Sequence, residues 1–217
     1  ALANGTQKRQ ATRYSVHGLH EYKGKFNPQI VRSILNMYKM GPSSIILDPF
    51  CGSGTTLIES TIAGVQSVGW DMNPFAVYLS NAKLSALHSV PRKLYKLSDK
   101  IINAYNNGNC EIVSRNPASE EYLKKWFPKE TYTIIESFRS IILKEGGELA
   151  KLFLVILSDL LRDYSLQEPS DLRIRRRKSA WPTISLPDKI TQEFLKKIKI
   201  IEAGFNAHGP LSTLAKA

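Results

Sequence analysis

The chain has 217 residues, enough for one large domain or one and a half smaller ones, with a hydrophobic share of 42% that is ordinary for a globular protein. Two cysteines, Cys51 and Cys110, exclude a disulfide framework, no Cys/His cluster has zinc-ligand spacing, and the most apolar run, Leu149 to Leu161, is too short to span a bilayer. The formal charge of +11 attracts polyanions, nucleic acid first, with a basic surface kept for solubility as the alternative, and the cysteine usage fits a reducing, cytoplasmic setting.

Residues 1–16 are polar and basic (Lys8, Arg9, Arg13) without hydrophobic period and read as a flexible arm. In the next segment Asn27 is placed to cap a helix that has Pro28 at its first position. Ile30, Ile34, Leu35 and Tyr38 form one apolar face until Gly41-Pro42 stops that helix. A strand at 44–49, a helix at 55–63, a strand at 66–71 and a helix at 74–87 make a βαβα run, the pattern of a doubly wound α/β fold. Pro91 starts a helix to about Asn106, 107–118 is a loop, and helices follow at 119–126, 129–144 and 147–163. The stretch Leu149 to Leu161 reads as a buried core helix. A connection at 164–187 holds three prolines and the densest positive run, and a last helix covers 188–203 with Ile190, Phe194, Leu195, Ile198 and Ile201 apolar. The organisation is therefore an arm (1–16), a βαβα region (17–90) and a mostly helical region (91–217). Two strands cannot bury both faces of a parallel sheet, so the remaining strands are expected from a continuation beyond Ala217 or from a second polypeptide.

The most informative stretch is Asp48-Pro49-Phe50-Cys51-Gly52-Ser53-Gly54-Thr55-Thr56, between an apolar strand and a helix. Its glycines allow a sharp turn and close backbone approach to a ligand, and the free amides at the helix start favour a polar or anionic group. One strand further on, Asp71 is placed to accept hydrogen bonds from both hydroxyls of a ribose. The absence of Gly-Lys-Ser/Thr excludes a phosphate-binding P-loop, and Leu57 stands where the third glycine of a dinucleotide binder belongs. Cys51 reads as a small buried residue, and Glu59 as a surface or capping carboxylate.

Asp-Pro-Phe-Cys-Gly-Ser-Gly-Thr-Thr, followed by Gly69-Trp70-Asp71-Met72-Asn73-Pro74, resembles the S-adenosylmethionine site of the amino-directed DNA methyltransferases, which act on N4 of cytosine or N6 of adenine. The likeness runs from about His20 to Lys83 and implies a Rossmann-like methyltransferase fold, incomplete here, with S-adenosylmethionine as cofactor, double-stranded DNA as substrate and no metal. It implies that Tyr22, Lys25 and Phe26, with Pro28, close over the methionine part of the cofactor, although the same residues also fit a helix cap and staple. Asp48 then orients an amino group or a water, Pro49 and Phe50 pack nearby, and the amides of Gly52, Ser53, Gly54 and Thr55 line the pocket. Asp71 takes the ribose, Met72 lies against the adenine or in the core, and Asn73 opens the cofactor-side Asn-Pro. The family's catalytic Pro-Pro-Tyr motif, which holds the flipped base, is absent, because none of the eleven prolines has another beside it. Arg173, Arg175, Arg176, Arg177 and Lys178 are expected on the DNA backbone, Trp181 as an anchor for that loop, and His17, His20 and His88 without a metal. An RNA methyltransferase, and a non-catalytic or split subunit whose partner supplies Pro-Pro-Tyr, are the alternatives.

Overall fold

A computed structural model describes residues 14–171, 173–209, 211 and 215–216. Helix α1 (Pro28–Met37) begins where the Asn27 side chain accepts a hydrogen bond from the Gln29 amide at 3.0 Å, with Pro28 in the first turn. Its buried face is Val31 and Leu35, packed on α2, while Ile30, Ile34 and Tyr38 are exposed. The expected apolar face is thus rotated, since α2 meets only one edge of the stripe.

Strands β1 (Ile45–Asp48) and β2 (Gln66–Gly69) pair in parallel, Ile45 beside Gln66 and Asp48 beside Gly69, with α2 (Thr55–Ile62) as the crossover and α3 (Pro74–Leu87) following. The close fit of the sheet to the turn is visible at Gly69, where a Cβ would lie 2.7 Å from the Cβ of Cys51. A strand that the sequence pattern did not signal, β3 (Ala215–Lys216), pairs in parallel with the other side of β2. Two residues are too few to show a period.

Residues 45 and 47 share a sheet face with 66 and 68, and that face is bare: Ile45 is 70% and Leu47 56% exposed. α2 lies against the sheet, and it is covered so fully that Leu57, Ile58, Glu59, Ser60 and Thr61 are all buried.

The rest is helical: α4 (Pro91–Asn106), α5 (Pro117–Trp126), α6 (Lys129–Glu145), α7 (Ala150–Leu160) and α8 (Leu186–His208). α7 is shorter than expected because a separate 3-10 turn, Gly147–Leu149, precedes it; α8 is longer, capped where the Ser185 hydroxyl accepts from the Asp188 amide. One apolar core passes through Val16, Leu57, Ile58, Leu94, Ile101, Phe138, Ile142, Phe153 and Phe194, so the glycine turn is braced by the helical region. Each such fully buried side chain contributes roughly 1.5–3 kcal/mol.

The expected flexible arm needs correction at its end. Residues 1–13 lie outside the described residues, but Ser15–Gly18 forms a 3-10 turn with Val16 and His17 buried, seated so closely on α8 that a Cβ at Gly204 would come within 2.5 Å of the Ser15 hydroxyl. A single turn is too short to carry a hydrophobic period. No helix among the described residues is long and apolar enough to cross a membrane.

Candidate functional site

The turn after β1 extends the sheet before it bends. The Trp70 amide donates to the Asp48 carbonyl at 2.8 Å and the Cys51 amide to the Trp70 carbonyl at 2.9 Å, which holds the ends of both strands side by side. Within the turn, Asp48 accepts from the Phe50 amide, the Gly54 amide donates to the Cys51 carbonyl, and the Gly52 amide donates to the Asp71 carboxylate at 2.8 Å. Gly54 has φ 78°, and a Cβ there would lie 2.8 Å from the Ser80 hydroxyl, so both the backbone angle and the space require glycine.

Beside the turn is a hollow of about 390 Å³ lined by residues that include Lys25, Phe26, Asp48, Pro49, Phe50, Gly52, Ser53, Thr55 and Thr56. The first amides of α2 have no partner within the helix, and Thr55 and Thr56 line the hollow. Asp71 joins this group through the Gly52 amide; its second oxygen accepts from the Asn73 amide at 2.8 Å. Each carboxylate oxygen holds one backbone amide and keeps a further lone pair. Met72 is 96% exposed next to it, outside the core formed by the described residues. Phe50 and Phe26 are also exposed, so apolar surface flanks the turn.

The other expected residues have intramolecular duties as well. Tyr22 comes within 3.5 Å of a Cβ built on Gly52. The Lys25 ammonium donates to the His17 carbonyl at 2.9 Å, and Asn73 caps α3 through the Phe75 amide. The amides of Gly52 and Gly54 are engaged inside the turn, which corrects the expectation that every amide from Gly52 to Thr55 lines the pocket. Cys51 is buried as expected, and burial raises its thiol above the ordinary value.

Two groups behind the turn were not foreseen as site elements. From α3, the Ser80 hydroxyl donates to the Gly52 carbonyl at 2.8 Å, and the fully buried Lys83 ammonium donates to the Ser53 carbonyl at 3.1 Å. The sequence carries a signal for the second: Lys83 is the one charged residue in an otherwise uncharged α3.

Glu59 on α2 is 1% exposed, which corrects its reading as a surface or capping carboxylate. One of its oxygens accepts from the Tyr14 hydroxyl at 2.5 Å and the His17 ring at 2.7 Å; the other accepts from the Arg32 guanidinium at 3.0 Å. Burial pushes the carboxyl up, but the hydrogen bonds from His17 and Tyr14 and the nearby charge of Arg32 outweigh it and hold Glu59 below the ordinary carboxylate value. Burial likewise lowers His17, so at neutral pH the imidazole is uncharged and donates Nε2–H to the carboxylate.

The basic loop is also changed by the structure. Arg177 donates to the carbonyls of Asp163, Ser165, Ser179 and Ala180 with its guanidinium 4.8 Å from the Trp181 ring centre. Arg176 donates to the Lys125 carbonyl and lies over Trp126. Arg177 therefore folds the loop, and the expectation that it serves the DNA backbone is corrected: a guanidinium satisfied by several carbonyls is a structural clasp, whereas Arg176 donates to one carbonyl and stays exposed. Arg173 and Arg175 are exposed and pair at the surface with Asp171, and Lys178 is in the same exposed run. Leu172 lies outside the described residues. Trp181 stands edge-on to Tyr164 with ring centres 6.5 Å apart, in keeping with an anchor. Among the described residues no His/Cys/Asp/Glu group is arranged to hold a metal ion.

Residues 3–82 match the DNA methylase family. The type II methyltransferase M.MjaII of Methanocaldococcus jannaschii is 38% identical over 121 residues, covering 53% of this chain and 22% of that protein. The type II methyltransferase M.MvaI of Kocuria varians is 26% identical over 204 residues, covering 89% of this chain and 44% of that protein. A tRNA (guanine(10)-N2)-dimethyltransferase of Methanothermobacter thermautotrophicus is 40% identical over 52 residues, covering 24% of this chain and 16% of that protein. The chain spans less than half the length of each of these relatives. No solved structure gives a significant match.

Proposed function

We propose that this chain, whose residues 3–82 match the DNA methylase family, is the S-adenosylmethionine-binding portion of a methyltransferase acting on the exocyclic amine of cytosine or adenine in double-stranded DNA. The observation that carries this reading is the joining of the glycine turn to Asp71 by the Gly52 amide at 2.8 Å, at the carboxyl ends of two parallel strands. That is where open α/β sheets take nucleoside ligands. The hollow fits such a cofactor: backbone amides at the start of α2 and exposed Phe26 and Phe50 line it, the Asp71 carboxylate bonded to the Gly52 amide keeps spare lone pairs for ribose hydroxyls, and Met72, exposed beside Asp71, is left for an adenine face. When bound, S-adenosylmethionine supplies a methyl group activated by its sulfonium. Tyr22, Lys25 and Phe26 flank the methionine end, Asp48, Pro49 and Phe50 the turn side, and Asn73 holds the start of α3.

The bare face at Ile45 and Leu47 supports a Rossmann-like sheet completed by other polypeptide, in the same chain or in a partner, which also brings the Pro-Pro-Tyr motif. The 217 residues alone then bind cofactor without transferring methyl groups. The test is a calorimetric titration of the chain with S-adenosylmethionine, followed by labelled methyl transfer by the full-length protein to duplex DNA and to tRNA. Saturable binding and label in DNA are expected; no binding overturns the assignment. Label in tRNA alone favours the second reading, motivated by the 52-residue likeness to the tRNA enzyme.

For the nucleic-acid contact, Arg173, Arg175, Arg176 and Lys178 are exposed; Arg176 also donates to the Lys125 carbonyl, which makes Arg173, Arg175 and Lys178 the three to test. Replacing all three by glutamine is expected to weaken DNA binding and to lower the slope of log affinity against log salt by about one to three. An unchanged slope in a fluorescence-anisotropy titration means the run is solvated surface charge.

A further inference from the structure

Lys83 has a place in this fold that surface chemistry does not explain. It lies on α3, fully buried, between Ala82 and Leu84, which are themselves buried. Burying an ammonium is costly unless its charge is matched. The charged and titratable groups that act on it are Lys25 from the segment before α1, Asp159 from α7 and Lys197 from α8, with His17 and His20 from the turn beside them. Asp159 is the one carboxylate among these, and it is also 3.2 Å from Lys197. Burial foremost, then the like charge of Lys25, lowers Lys83 to about 7.

What Lys83 does there is hold a carbonyl. The glycine turn points the carbonyls of Gly52 and Ser53 back toward α3, where Ser80 and Lys83, one helical turn apart, each donate to one of them. A buried carbonyl needs a donor, and an apolar side chain at 83 leaves the Ser53 carbonyl without one. The Asp71 carboxylate holds the same turn from the other side through the Gly52 amide.

We propose that Lys83 is a positioning residue for the cofactor: through the Ser53 carbonyl, and with Ser80 acting on Gly52, it fixes the glycine turn in the conformation that presents the start of α2 to the hollow. This rests on the reading of the hollow as the S-adenosylmethionine site. Pre-set backbone dipoles bind without reorganising, so loosening the turn weakens affinity although no contact to the ligand is removed.

The decisive variant is Lys83→Met, which keeps side-chain length and removes both charge and donor. A merely structural lysine predicts a shifted urea midpoint with S-adenosylmethionine affinity unmoved in the folded variant. The positioning role predicts that the affinity of the folded variant falls on the order of tenfold or more, whichever way the midpoint moves as a buried charge goes and the Ser53 carbonyl loses its donor. Amides 52–55 are expected to exchange faster with solvent deuterium than in the unaltered chain, with exchange in α6 unchanged. Ser80→Ala, which leaves the charge in place, is expected to show the same two local effects and serves if Lys83→Met does not fold. Unchanged affinity and unchanged exchange in the folded variants overturn the proposal. If the unaltered chain itself does not bind S-adenosylmethionine, the cofactor reading fails, and the exchange of amides 52–55, measured without any ligand, still decides whether Lys83 positions the turn.

Discussion

Replacing Glu59 by alanine is expected to lower folding stability by on the order of 3–5 kcal/mol, the range for removing one partner of a buried ionic cluster. The carboxylate ties two elements to α2: the turn at 15–18 through Tyr14 and His17, and α1 through Arg32. Without it the His17 ring, 1% exposed, loses its Nε2 acceptor, and its Nδ1 has no hydrogen-bond partner among the described residues. Glu59→Gln, which retains an acceptor and loses the charge, is expected to fall between. Equilibrium urea unfolding reads the effect; an alanine variant within about 0.5 kcal/mol of the unaltered protein would show that the cluster is dispensable.

The pH dependence of stability has the same origin. His17 is lowered from 6.5, so below that pH the unfolded chain binds a proton that the folded chain refuses, and stability falls as pH drops through this window. Glu59 is lowered from 4.5, so its contribution is present above that pH and is lost on further acidification. Lys83, lowered from 10.5 to about 7, makes the unfolded chain the better proton binder between these values, and stability gains as pH rises across them. His17 and Lys83 act in one direction, so the urea midpoint is expected to rise from pH 5 to pH 8, and Glu59 adds a further fall on acidification below about pH 4.5.

Asp71→Ala is expected to reduce S-adenosylmethionine affinity on the order of 100-fold or more, since two charge-assisted hydrogen bonds of about 1.5–3 kcal/mol each are removed. The variant also releases the Gly52 and Asn73 amides, so part of the loss comes from a loosened turn. Asp71→Asn separates the two contributions, because one oxygen remains to accept from a backbone amide. Calorimetry showing unchanged affinity for both variants would remove Asp71 from the ribose role.

Much of the local structure was legible before any coordinates. Asn27-Pro28 and Asn73-Pro74 announce the starts of α1 and α3, and both asparagines cap as their chemistry requires. The apolar run 45–47, the paired glycines and the run at 66–69 define β1, the turn and β2 by spacing alone. Glu59 escaped because α2 is buried nearly all round, and periodicity cannot tell a charged residue on an exposed face from one enclosed by Tyr14, His17 and Arg32. Arg177 was read by charge density, which does not reveal that carbonyls from Asp163 to Ala180 are already waiting for it.

Order along the chain therefore determined the strand, the glycine bend, the helix and the acidic residue that follows, because these depend on backbone angles and on neighbours a few positions away. Folding alone decided which distant groups meet: Lys83 with Ser53, Glu59 with the turn at 15–18, Arg177 with its ring of carbonyls. Those pairings depend on the low-dielectric enclosure that packing creates, where an unpartnered polar group is costly and each charge must find its match across the structure.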